Sequence, residues 1–234
     1  MTDRRHPHDP HPPAPPRGTS AFRQPPPSSS ERTCQIYSYA IEHPDGVIVI
    51  DTGPRAGHPI IDDLYAPDVI SIIDALNTVG IDERDIAAVF NTHLHFDHCG
   101  QNHLLDHAPV WITEAELDVS TSEFYTVPEW ATIEPDRLRL AADGETIADG
   151  ITILHTPGHT PGHLSITAHT DIGLEIVVGQ ACYTCAEYDA STIALTDMHT
   201  ADWHSAGLDS LARLRALQPD RAHFSHDATT HTPS

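Results

Sequence analysis

Lysine is absent from all 234 residues, and the 12 basic side chains are arginines. Without lysine the chain cannot form a Schiff base, nor supply the phosphate-binding lysine of a P-loop. Long apolar runs are missing too. No stretch approaches the roughly 18 consecutive apolar residues of a membrane span. The N-terminus lacks the apolar core of a signal peptide. These absences predict a cytoplasmic protein with no membrane partner. Cysteine is scarce: Cys34, Cys99, Cys182 and Cys185 are too few for a disulfide scaffold at this length. Positive charge is in short supply, 12 basic against 34 acidic residues for a net −22. Such a surface repels polyanions, which excludes a nucleic-acid partner.

What remains is one domain of ordinary size behind a tail. Residues 1–32 are rich in Pro, His and Ser, with too few apolar side chains to offset the entropy of ordering. They read as a disordered or polyproline-like tail, and the domain spans 33–234. Beta-rich runs at 35–41 and 46–50 are joined by Pro44-Asp45-Gly46, which is turn chemistry. Residues 69–76 have helical spacing, with Asp68 as N-cap and Gly80 as terminator. Further strands are expected at 86–90, 109–112, 151–155, 164–168, 174–178 and 221–225. A short helix is expected at 113–117 and a longer one at 205–217, with Leu208, Leu211, Leu214 and Leu217 on one face. Residues 120–137 read as irregular. Their aromatics Phe124, Tyr125 and Trp130 either wall an apolar pocket or form a small satellite core.

The densest chemistry lies in His93-Leu94-His95-Phe96-Asp97-His98, directly after the apolar run 86–90. Neutral imidazole and carboxylate are first-choice zinc ligands, and three imidazoles with a carboxylate in six positions point to a metal loop. The arrangement of strand, loop and His recurs twice. Residues 151–155 run into Thr156-Pro157-Gly158-His159-Thr160-Pro161-Gly162-His163, and 221–225 run into His226. A metal site built from several strand-end loops explains the recurrence.

These residues resemble the metallo-β-lactamase superfamily: the His-x-His-x-Asp-His loop, the Thr-Pro-Gly-His loop and the strand before His226, with Asp51-Thr52-Gly53 also fitting. The resemblance covers roughly 34–226. It implies an α/β fold, an αββα sandwich of two mixed β-sheets with outer helices and the metals at one edge. Within the superfamily, the histidine loops and Ala181-Cys182-Tyr183 look most like the N-acyl-homoserine lactonases.

By position, the resemblance assigns His93, His95 and His159 to a first metal, and Asp97, His98 and His226 to a second. The expected ions are one or two Zn2+, with Fe, Mn or Co as alternatives. It makes Tyr183 a hydrogen-bond donor to the substrate carbonyl; Asp97 or a metal-bound water is expected to carry the proton to the leaving group, and Phe96, Phe124, Trp130 and Tyr183 are expected substrate contacts. His163 is expected to support the site from behind. The family's metal-bridging acid falls at Gln180, whose neutral amide is a weaker ligand and removes one negative charge. Either Cys182 or Cys99 supplies a soft ligand in its place, or both are plain buried thiols. The implied reaction is opening of a lactone or ester on a small molecule. Its rivals are a thioester (glyoxalase-II-like) or β-lactam hydrolase, and a metal-binding protein with weak or no catalysis. Arg137 and Arg139 are the nearest candidates for clamping a phosphate. The sequence leaves room for a homodimer.

Overall fold

The computed structural model describes residues 17–20, 33–194 and 201–233. Strand β1 (Arg17–Ser20) pairs in parallel with β2 (Thr33–Ile36), so four residues of the Pro-rich segment have defined secondary structure. The rest of that segment, where the tail is expected, lies outside the described residues. Two larger sheets follow. The first contains β3 (Tyr39–His43), β4 (Gly46–Ile50), β5 (Ile86–Phe90), β6 (Val110–Ile112) and β7 (Leu138–Leu140), in that order. Its β3–β4 pair is antiparallel and its other pairs are parallel.

The second sheet contains β8 (Thr146–Ala148), β9 (Ile151–His155), β10 (Leu164–Thr170), β11 (Gly173–Gly179), β12 (Arg221–Phe224) and β13 (Asp227–His231). Only β11–β12 is parallel there. A parallel pair needs a long crossover. It is supplied by helices α6 (Cys185–Ala190) and α7 (Ala201–Ala216), just as α1 (Pro59–Leu64) and α2 (Ile72–Thr78) fill the crossover from β4 to β5.

Strand side chains alternate faces, and this alternation sorts the core into layers. Ile48, Ile50 and Phe90 point inward and meet Ile153, Ile166 and Val177 of the other sheet. Val47, Val49 and Val89 point outward onto Ile72 and Leu76 of α2. On the far side, Ile176, Val178 and Phe224 meet Leu211 and Leu214 of α7 and Tyr188 of α6. The result is a sandwich of helix, sheet, sheet and helix. No helix among the described residues is long and apolar enough to cross a membrane.

The local expectations needed three corrections. The N-cap of α2 is Ser71, not Asp68, and its side chain makes no cap bond. The Ile72 N–H instead donates to Gln101 Oε1 at 2.8 Å, a tertiary contact that replaces the local cap. On α7 only Leu211 and Leu214 are buried, while Leu208 and Leu217 are over a third exposed. At about 3.6 residues per turn, a row spaced by threes winds around the helix, so its two ends leave the apolar face. Within 120–137, Pro128–Ala131 forms a short helix, α5.

Candidate metal centre

The site forms where the ends of β4, β5, β9, β11 and β12 meet at one edge of the sandwich. Asp51 follows β4 and Asn91 follows β5, and the Asp51 N–H donates to Phe90 O at 2.8 Å. Asp51 adopts a left-handed backbone, φ +57°, which Asp tolerates better than most residues. Its carboxylate accepts the Thr92 N–H (2.7 Å) and the Thr92 hydroxyl (2.8 Å), and it lies 2.8 Å from His98 Nδ1. Asp51 therefore fixes the His98 ring and leaves Nε2 facing the site. Carboxylates commonly orient metal-ligating histidines this way.

The His93–His98 loop continues into a single helical turn, α3 (Phe96–Cys99). The 156–163 loop is bound to it by the Leu164 N–H donating to Thr92 O at 2.9 Å. Gly162 allows the close approach of this loop to α4 (Glu114–Val119): a Cβ there would meet Glu116 N at 2.1 Å.

Two groups of donor atoms result. In the first, His95 Nδ1 lies 3.0 Å from His93 Nε2 and 3.1 Å from His159 Nε2. In the second, Asp97 Oδ2 lies 3.5 Å from His98 Nε2 and 4.0 Å from His226 Nε2. Within each group all donor atoms fall within 4.8 Å of one another, and the His93 and His98 rings, 4.1 Å apart, join the two groups. His226 is turned by its Nδ1, which lies 2.9 Å from Gln35 O and 3.2 Å from Cys34 Sγ.

The electrostatics suit a cation. Burial, then the neighbouring imidazoles, hold His93 well below the ordinary histidine pKa. Burial holds His226 down at about 4. Burial also disfavours charge on His98, yet Asp97 and Asp51 outweigh it and raise this group to about 10. Burial alone would raise Asp97, but His98 and His226 draw it well below the carboxylate range. His98 Nε2, His226 Nε2 and Gln180 Oε1 are buried and make no hydrogen bond. Buried polar atoms are nearly always satisfied. Three orphans beside two carboxylates are what a site for divalent cations requires, so the residues present fit such ions.

Gln180 follows Gly179 at the end of β11. Its N–H donates to His163 Nε2 at 2.9 Å. His163 lies 2.8 Å from the Thr156 hydroxyl through Nδ1 and is lowered to about 3 by burial first, then by His98. It supports the Gln180 turn from behind, as the sequence suggests. Tyr183 lies over the site, its hydroxyl 3.4 Å from His159 Nδ1 and its ring stacked on His226 at 5.3 Å. Glu187 of α6 holds this turn by accepting the Tyr183 N–H at 2.7 Å. Burial, then Asp97, keeps the Tyr183 phenol protonated by raising its pKa.

A cavity of about 490 Å³ opens over both groups. Asp97, His159, Gln180, Tyr183 and His226 form its floor, and Ile60, Leu64, Tyr65, Phe96, Phe124 and Val127 are among its walls. Phe96 and Phe124 both line it, Phe124 as a rim residue 91% exposed. Trp130 does not. It is buried in a cluster with Ile61, Leu94 and Ile112, so for this side chain the satellite-core reading holds. The alternative of a soft ligand fails as well. Cys99 packs in the same cluster, bonded to Leu94 O, and Cys182 packs under α7. Arg137 and Arg139 donate to backbone carbonyls, and neither lines the cavity.

Sequence reading missed Glu116. This fully buried carboxylate accepts the Leu94 N–H (2.9 Å), the Thr160 hydroxyl (2.5 Å) and the Tyr125 hydroxyl. Burial raises its pKa and these donors oppose the rise. Leu94 sits between His93 and His95, Thr160 follows His159, and the Tyr125 ring packs on His95 at 4.6 Å. One carboxylate therefore fastens both histidine loops. Its signal was present as Thr113-x-x-Glu116, a capping-box spacing. The Thr113 hydroxyl does cap α4, but the glutamate turns to the loops instead.

Fold and site together define the class. The Metallo-beta-lactamase superfamily model matches residues 32–226, and the chain belongs to that superfamily, whose members bind divalent metals. Among curated proteins it is similar to an N-acyl homoserine lactonase of Bacillus cereus, 28% identical over 167 residues, 66% of this chain and 66% of that protein. The match thus spans just under two thirds of that relative's length. A solved quorum-quenching N-acyl homoserine lactone lactonase shares 26% identity at TM-score 0.66, covering 82% of this chain and 79% of that one. A solved N-acyl homoserine lactone hydrolase, with its product N-hexanoyl-L-homoserine at the catalytic metal centre, superposes with TM-score 0.67 at 24% identity, covering 82% of this chain and 80% of that one.

Proposed function

We propose that the chain is a metal-dependent hydrolase that opens the ring of a small lactone with an apolar acyl arm, of the N-acyl-homoserine-lactone kind. The observation that carries this reading is the cavity. Its floor holds Asp97, His159 and the orphaned Nε2 of His226, with the orphaned His98 Nε2 buried 3.5 Å behind Asp97, and its walls are mainly aliphatic and aromatic with no arginine. A phosphodiester has no cationic side chain to meet there, whereas an acyl chain finds apolar walls.

His93, His95 and His159 would hold one ion, and Asp97, His98 and His226 a second. Zinc suits this nitrogen and oxygen donor set, with Fe, Mn or Co as alternatives. A bound ion makes water acidic enough to supply hydroxide near neutral pH and polarises a carbonyl. The protein's own groups do the rest. The Tyr183 hydroxyl donates to the carbonyl oxygen as negative charge develops there. Asp97 takes the proton of the attacking water and returns it to the leaving ring oxygen. Phe96 and Phe124 flank the acyl arm. With Gln180 where an acid would bridge the ions, the second ion is held less tightly than the first.

The relatives named as N-acyl homoserine lactonases support this substrate class over thioesters and β-lactams. The deciding measurement compares hydrolysis of an N-acyl homoserine lactone, S-lactoylglutathione and a chromogenic β-lactam by the metal-loaded protein. The lactone is expected to be fastest. If the wild type hydrolyses no lactone, ester or thioester above a His93→Ala variant, the proposal is wrong.

A further inference from the structure

A third group of ligand-competent side chains lies away from the cavity, on the outer face of the larger sheet. Cys185 and Asp189 stand four residues apart on α6 and so share one face, while His231 comes from β13. One donor atom from each lies within 4.8 Å of the others. Cys185 Sγ is 3.8 Å from Asp189 Oδ2, and His231 Nδ1 is 2.6 Å from Asp189 Oδ1. The thiol is buried, and the carboxylate, about half exposed, gives an ion access from solvent. A second carboxylate, Asp227, is held nearby, its Oδ2 accepting the Cys185 backbone N–H at 3.0 Å. Burial, then Asp189 and Asp227, push the thiol pKa up. A buried thiol in contact with a carboxylate is an arrangement that a cation relieves.

We propose that Cys185, Asp189 and His231 bind a divalent cation of the zinc class, which fastens α6 to β13. Thiolate, imidazole and carboxylate form a borderline-soft set suited to that ion, with water in the fourth position. Zinc–sulfur bonds of about 2.3 Å and zinc–nitrogen or –oxygen bonds of about 2.0 Å put neighbouring ligands of a one-sulfur site roughly 3.3–3.5 Å apart. The Cys185–Asp189 distance of 3.8 Å needs to close by only about 0.3 Å to meet that spacing. The His231–Asp189 pair is closer because a proton bridges it. The ion takes the place of the proton between His231 Nδ1 and Asp189, which moves to Nε2 as the ring stays neutral, and of the thiol proton, which is released to solvent.

The position of the tie links it to the cavity. Helix α6 begins two residues after Tyr183, and β13 begins directly after His226. The ion would therefore brace the two segments whose tips stack Tyr183 on His226.

The test is Co2+ titration of the metal-stripped full-length chain, followed by near-ultraviolet absorption. A thiolate ligand gives a sulfur-to-cobalt charge-transfer band. The six side chains of the two cavity groups carry no sulfur, so the band does not depend on whether they hold metal or act on lactones. Wild type is expected to develop the band and to saturate it with the intensity of one thiolate-bound cobalt per chain once the cavity groups have also been filled. Cys185→Ser should abolish it, and His231→Gln should weaken cobalt binding at this site at least tenfold. Cys34→Ser, which alters the thiol beside His226, should leave it intact. Circular dichroism checks that each variant is folded, and His231→Gln keeps the test sharp if Cys185→Ser is not. A wild type without the band overturns the proposal, as does a band that survives Cys185→Ser and vanishes in Cys34→Ser.

Discussion

The two halves of the cavity floor are supported by opposite means. Around His93, His95 and His159 the donors are imidazoles alone, and a carboxylate behind them, Glu116, fastens their loops without reaching the donor atoms. Around Asp97, His98 and His226 the carboxylates are part of the site. Asp97 faces the cavity and Asp51 bonds to the far side of His98. Gln180 lines the same cavity, and its amide oxygen has no partner and no charge. The first half relies on geometry held at a distance, the second on charge held close.

The largest effect should come from removing a donor of the first half. His93→Ala is expected to abolish tight metal binding and to reduce lactone hydrolysis to the ion-free rate, as read by metal analysis and a ring-opening assay. Equal metal content in variant and wild type would show that the first half is not the tight site. Next is Glu116→Ala, which leaves three buried donors unsatisfied at about 1–3 kcal/mol each and should lower the melting temperature. Glu116→Gln keeps the shape and should fold, yet weaken the first ion by about 10–100-fold, the usual scale for groups behind a ligand. If chelator competition shows no change in Glu116→Gln, the carboxylate serves folding alone.

Gln180→Asp should raise occupancy of the second ion, measured as metal per chain. An unchanged stoichiometry would refute the asymmetry between the halves. The smallest effect is expected from Phe124→Ala. This rim side chain should leave thermal stability unchanged and raise KM for a long-chain lactone a few-fold more than for a short one. Trp130→Ala is its counterpart, costing about 3–5 kcal/mol of stability as a core truncation.

Much of this was legible from local pattern. The inner strands of both sheets could be read from alternation and turn residues, though the outer strands β7, β8 and β13 were not, and the six candidate ligands could be read from three loops that each follow a strand. The departure at Gln180 was visible only through the resemblance, which puts an acid at that position. What escaped depends on side-chain direction in three dimensions. Glu116 carries a capping-box signature and points elsewhere, because Gly162 brings a second loop within its reach. Trp130 lies in the same aromatic stretch as Phe124, yet the short helix α5 turns it inward while Phe124, at φ +63°, swings out to the rim. The cap of α2 comes from Gln101, 29 residues away. No periodicity encodes such contacts.

The left-handed turn at Asp51 has a consequence for what this position can become. Glycine would relax the backbone but forfeit the grip on His98. Most other residues would keep a side chain but strain the turn by about 1–3 kcal/mol. Asparagine alone satisfies the backbone and reaches Thr92, at the cost of the negative charge. Position 51 is thus nearly closed to change by single substitution. A saturation library scored separately for folding and for metal content should find almost every tolerated variant at 51 folded but depleted in the second ion.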